Sequence, residues 1–200
     1  MKTVAPIPER MAHLRVWRGV AVPVGVVIAN DGRPMFSLNN EAERARAVRR
    51  RLCPICGTKL FRGRWLVGGP LSALHPEGAF IDPPMHSECM RYSLQVCPYL
   101  AMPNYSKSVA MAQFESNRET LSHVAVFPNS YETPGTDFVV NHPAVFVAIM
   151  TTLPIDFQAD NLAAKPRRPF NRVEYWREGK QISDEQGAAI AARVLREFRL

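Results

Sequence analysis

Cys53 and Cys56 stand two residues apart, and so do His86 and Cys89, with 29 residues between the two pairs. A Cys-Pro-Ile-Cys run can bend its backbone around one ion, and Gly57, directly after it, relieves the tight turn. His86 and Cys89 are at i and i+3, so in the first turn of a helix both project from one face. Thiolates there are also favoured by the helix dipole. A Cys₃His set closes a tetrahedron with no open position, and this predicts a structural rather than catalytic zinc ion. Two plainer readings compete: a Cys53/Cys56 redox pair, for which the βαβ context is missing, and two ordinary buried thiols. His75 is an alternative fourth ligand to His86. Cys97 is eleven residues beyond His86, roughly 16 Å along a continuous helix, and reads as a core residue.

The elements that must position these ligands follow from local signals. Residues 1–12 read as a flexible arm, followed by a single α+β domain over 13–200 that embeds the zinc module 53–97. Val20 to Ile28 is rich in β-branched residues and predicts a strand; Asn30-Asp31-Gly32 turns it, and Pro34 to Leu38 returns. Asn39 or Asn40 caps a helix over 41–52, with Glu41 and Glu43 in its first turn and Arg49, Arg50 and Arg51 in its last. Lys59 to Val67 predicts a hairpin turning at Arg62-Gly63, residues 71–83 a loop, and Pro83-Pro84 the entry to a helix from about His86 to Val96. Strands are expected at 124–127, 137–140, 145–152 and 173–176, with an irregular connection over 157–170. Ser183 and Gln186 fit a capping box that opens a final helix to about Phe198, with Ile190, Val194 and Phe198 on one face. The fold class is therefore α+β, with a strand-rich second half and a C-terminal helix.

The succession of CPxCG knuckle, hairpin 59–67 and helix from His86 resembles the treble-clef zinc fingers. In that group the first turn of the helix supplies the second ligand pair. Over a longer span, Cys53–Gly57, Pro83–Cys89, Cys97-Pro98 and Trp176–Lys180 resemble a set of short hypothetical proteins of bacteria and phages. The resemblance implies an accessory or host-interaction role and carries no activity with it. Nucleases of the HNH type share the treble clef but need a histidine base on the hairpin, which KLFRGRWLVGG lacks.

Other catalytic signatures are also missing: the sequence has no phosphate-binding glycine loop, no H-E-x-x-H and no G-x-S-x-G. His13, His123 and His142 are scattered. Binding is the better expectation. Arg44, Arg46, Arg49, Arg50 and Arg51 precede the knuckle, and Lys59, Arg62 and Arg64 follow it, with Phe61 and Trp65 as stacking surfaces. Cations with interleaved aromatics are the footprint of nucleic-acid contact. A half-buried strand alternates in the same way, and a protein partner remains the other expectation. The six candidate contacts are Arg49, Arg50, Arg51, Lys59, Arg62 and Arg64.

Length and composition bound these readings. The 200 residues are 46% hydrophobic and 22% charged, which excludes wholesale disorder, and seventeen prolines predict short elements and many loops. The net charge of +7 is uneven: residues 41–70 carry +6 and residues 121–160 carry −4. No stretch approaches the ~20 apolar residues of a membrane-spanning helix, so no membrane association is expected. Gly19 to Ala29 looks superficially like a secretion signal, but Pro23, Gly25 and the turn after it read better as a hairpin. Metal-type cysteines without a convincing export signal predict a cytoplasmic protein.

Overall fold

The computed structural model describes residues 5–102 and 143–197. Its centre is an antiparallel sheet of four strands: β5 (Arg64–Gly68), β6 (Phe146–Thr151), β9 (Arg172–Arg177) and β10 (Lys180–Ile182). They lie in the order β10-β9-β6-β5. Trp65 faces Met150 across β5 and β6, and Ala148 faces Glu174 across β6 and β9. Side chains alternate across a pleated sheet, so each strand supplies two cores. Trp65, Phe146, Ala148 and Trp176 enter one, with all three of Cys53, Cys56 and Cys89. Leu66, Val147, Ile149 and Tyr175 enter the other. Both faces are covered, which explains why β6 reads as a nearly continuous apolar run.

Helices α2 (Pro70–Leu74) and α5 (Asp184–Glu197) sit over the second core, through Ala73 and Ala191. The close approach of α5 depends on Gly187, where an added Cβ would collide with the Tyr175 ring. Ser183 accepts from the Gln186 backbone N–H at 3.3 Å, as the capping box requires. Ile190 packs against the second core, while Phe198 lies outside the described residues. Over the first core runs α3 (Ser87–Val96), which turns at Cys97 into the short α4 (Pro98–Ala101). Arg91 of α3 is bonded at 2.6 Å to Glu174, a carboxylate buried on β9 that also meets Arg172 at 3.0 Å and the Trp176 indole at 3.3 Å. A buried carboxylate needs such partners, and here they tie helix to sheet.

Two-stranded units surround this centre: β1 (Val16–Trp17) with β2 (Val20–Ala21), β3 (Val26–Ile28) with β4 (Pro34–Asn39), and β7 (Ile155–Phe157) with β8 (Ala164–Pro166). Helix α1 (Glu41–Arg50) starts where expected, with the Asn40 side chain accepting from the Glu43 N–H. The α+β class holds, but several elements differ from expectation. The strand foreseen over 20–28 is split around Pro23, which has no N–H for a ladder. The hairpin foreseen over 59–67 does not form. Its first arm makes only the single bridge Leu52↔Lys59, while Arg64–Gly68 joins the central sheet. Residues 71–83 include most of α2, which starts on Pro70, and the connection over 157–170 contains β8. Pro83 and Pro84 precede α3 rather than forming its first turn, with His86 as the N-cap.

Residues 5–12, expected as part of a flexible arm, contribute Met11 (1% exposed) to the first core, with Ala5 and Ile7 packed beside it. The expected strands 124–127 and 137–140, together with His123 and His142, lie outside the described residues. Among the described residues, no helix is long and apolar enough to cross a membrane.

Candidate metal centre and the surface around it

The knuckle begins where α1 ends. Arg51 takes a left-handed conformation (φ 54°) as C-cap, and the Leu52 N–H returns to the Ala47 carbonyl at 2.8 Å. The chain is thereby turned so that Cys53 is buried. Gly57, at φ +73°, closes the bend, with its N–H on the Cys53 carbonyl and the Cys53 N–H on the Thr58 carbonyl. A non-glycine residue there would be strained. Opposite, His86 stands at the N-cap position of α3 without a side-chain capping bond, and Cys89 projects from the first turn. One ligand atom from each of Cys53, Cys56, His86 and Cys89 lies within 4.8 Å of the others, and all four cysteines are free of disulfides. The four side chains singled out by spacing are brought together, and they can hold a metal ion.

His75 is not among them. It ends α2, where its Nδ1 accepts from the Glu77 N–H at 3.1 Å and its carbonyl accepts from Arg168. Cys97 stands apart at the α3–α4 junction, where burial pushes its thiol up to about 11.

The surroundings fix each donor. His86 Nε2 lies 3.1 Å from the Lys59 carbonyl, so Nε2 carries the proton and Nδ1, 3.4 Å from Cys56 Sγ, presents its lone pair to the cluster. The Thr58 hydroxyl lies 3.2 Å from Cys56 Sγ, placed to donate to a thiolate. Three thiols this close cannot share negative charge evenly. Hydrogen bonds from Cys53 and then Cys89 hold Cys56 far below the usual thiol range. Cys89 is held far above it, first by its bonds to Cys53 and Cys56 and then by burial. A divalent cation at their centre removes this conflict by letting all three ionise. The donor set of soft sulfur and imidazole fits such an ion.

A second layer comes from the N-terminal segment. The Val24 N–H donates to the Ile55 carbonyl and the Gly25 N–H to the Pro54 carbonyl, each at 3.0 Å, and His13 Nε2 bonds the Cys56 carbonyl at 3.0 Å. Gly25 permits this approach, since a Cβ there would sit 3.1 Å from the Pro54 oxygen. The Ala21 N–H donates to the Tyr92 hydroxyl on α3. Residues 13–25 therefore grip both halves of the site. Sequence reasoning missed this, because backbone-to-backbone pairing leaves no residue signature beyond a permissive glycine.

The basic residues divide into two sets. Arg44 is buried, bonded to Glu41 and to the carbonyls of Ile81 and Asn161; Arg46 pairs with Glu43. Arg64 donates to the carbonyls of Thr152 and Leu153, and burial together with the charge of Arg51 lowers its affinity for its proton. Arg49, Arg50, Arg51, Lys59 and Arg62 are exposed. The Leu60 N–H on the Arg51 carbonyl and Lys59 Nζ on the Arg50 carbonyl hold the end of α1 beside the segment after the knuckle. Trp65, expected as a stacking surface, is buried under Arg91; Phe61 is 72% exposed. Comparison with family models, with curated proteins and with solved structures finds no match for the chain.

Proposed function

We propose that the protein is a non-enzymatic binding module in which a structural zinc ion at Cys53, Cys56, His86 and Cys89 holds a cationic surface for nucleic acid. Zinc suits three thiolates and one imidazole, and four protein donors leave it no position for a reactant. Its role is then to fold the knuckle against α3 and to fix the end of α1 beside it.

One observation carries the binding reading: Arg49, Arg50, Arg51, Lys59 and Arg62 are all exposed, with Lys59 bonded to the end of α1, in a stretch with no acidic residue between Glu43 and Glu77. The carboxylates at its edge, Glu41 and Glu43, are already paired with Arg44 and Arg46. Among the described residues no carboxylate pairs with these cations, and such a group attracts a polyanion and releases its counterions on contact. Arg64 belongs to the same field but is half-buried and bonded, so it contributes charge more than contact.

Elemental analysis of the purified protein should find one zinc per chain. Binding to nucleic acid should weaken steeply as salt rises, and Arg49, Arg50 and Arg51 changed together to Ala should lower affinity and flatten that slope. Retention of an acidic protein partner with no affinity for nucleic acid would instead support the accessory-protein reading.

A further inference from the structure

We infer that this surface takes an unpaired strand, with a base stacked on Phe61 and the neighbouring phosphates on Arg62, Lys59 and the Arg49–Arg51 run. The inference rests on the nucleic-acid reading above and narrows its ligand. Phe61 is the most exposed large apolar side chain among the described residues, at 72%, and it stands between Leu60, which packs into the first core, and the turn at Gly63 (φ +80°). An extended chain alternates, so Phe61 points outward with Lys59 while Leu60 points in. A phenylalanine left in water forgoes about 1.5–3 kcal/mol of burial, and a ring flanked by cations offers a π-face where a backbone would pass.

The other rings near cations are already covered. Arg15 and Arg18 lie 5.3 and 5.9 Å from the Trp17 centroid, Arg91 lies 5.7 Å from Trp65, and Arg168 lies 5.0 Å from Phe170. No guanidinium lies over Phe61 among the described residues. A duplex suits this surface poorly, because its base faces are hidden by their neighbours and would leave the ring unused. Nor does α1 offer a groove-reading face. Its first turn carries Glu41 and Glu43, Arg44 is buried, and Arg46 is paired, so laying it along a groove would bring carboxylates to phosphates. Only the end of the helix and the turn after the knuckle are cationic, which fits a strand crossing them.

Fluorescence anisotropy on the zinc-loaded full chain tests this, with a labelled DNA strand of mixed sequence, the RNA strand of the same sequence, and the DNA duplex. A single strand should bind more tightly than the duplex, and the DNA and RNA arms show whether the 2′-hydroxyl contributes. Phe61→Ala should weaken single-strand binding about 5- to 100-fold with an unchanged salt slope, while Phe61→Trp retains it. The Arg49, Arg50 and Arg51 triple variant should weaken both forms and make the slope shallower. Phe61 is exposed, so its variants should keep their zinc and circular dichroism. Equal affinity for duplex and single strand, with Phe61→Ala indifferent, would overturn the inference and leave the nucleic-acid reading standing. Absence of binding to all three probes would overturn both.

Discussion

On one face of the central sheet, Leu66, Val147, Ile149 and Tyr175 meet α2 and α5 through aliphatic and aromatic contact; on the other, Trp65, Ala148 and Trp176 meet a helix and a knuckle drawn together by three thiols and an imidazole. The first face depends on volume and shape, which tolerate conservative repacking. The second depends on donors of fixed type at fixed places, plus the buried Glu174 with its cations. Losing a methylene from the first weakens it by degrees. On the proposed zinc reading, losing one donor from the second removes the ion and with it the reason for the knuckle to stay closed.

The largest expected effect separates the two faces. Cys56→Ser or Cys89→Ser should abolish metal retention and lower the melting temperature by more than about 10 °C, since a few kcal/mol shift a chain of this size by several degrees. Hydrogen exchange should then show residues 21–25 and 53–58 unprotected while 145–149 remain slow. Loss of protection in β6 as well would make the two faces one cooperative unit and end the distinction. Next, Ile149→Ala should cost about 2–5 kcal/mol by urea denaturation, with metal content unchanged. Metal loss in that variant would again join the faces.

Smaller effects sharpen the polar side. Glu174→Gln leaves Arg91 and Arg172 without their counter-charge and should destabilise by about 1–3 kcal/mol, less than a fully buried pair because both guanidinium groups keep contact with water. Repeating the denaturation at higher salt should narrow the difference from the parent chain. The smallest effect concerns Cys97, on the metal side but outside the cluster. Burial raises its thiol from 9.0 to about 11, so the native state keeps that proton longer than the unfolded chain. Its contribution is intact below about pH 9 and is lost as pH rises through about 11. Cys97→Ala should flatten that alkaline decline, and Cys97 should resist iodoacetamide at pH values where an unfolded control reacts.

The clustering of the four donors was legible because their signal is local: each pair obeys a turn or helix spacing that holds whatever the rest of the chain does. The same is true of the Asn40 cap, the α3 span and the Ser183 start of α5. What could not be read was pairing over distance. The Arg62-Gly63 turn advertised a return of 64–67 onto 59–61, but Trp65, Leu66 and Val67 are apolar on both faces and so suit the inside of a larger sheet, where β6 supplies their partner. Periodicity names the face of a strand and is silent about its neighbour. Three of the eight basic residues around the knuckle, Arg44, Arg46 and Arg64, were equally misleading. Arg44 and Arg64 are stitched to carbonyls more than 35 residues away in sequence, and only coordinates separate them from the exposed Arg49, Arg50 and Arg51.

The grip of residues 13–25 on the knuckle also orders events in time. A ribosome emits this segment before the carbonyls of Pro54 and Ile55 exist to receive the Gly25 and Val24 amides, or that of Cys56 to meet the His13 ring, and long before Tyr92 can accept from Ala21. Until the knuckle and α3 have emerged, these groups are hydrogen-bonded to water instead. On the proposed zinc reading, loading the site and ordering residues 13–25 are one coupled equilibrium, and removing the metal should loosen both.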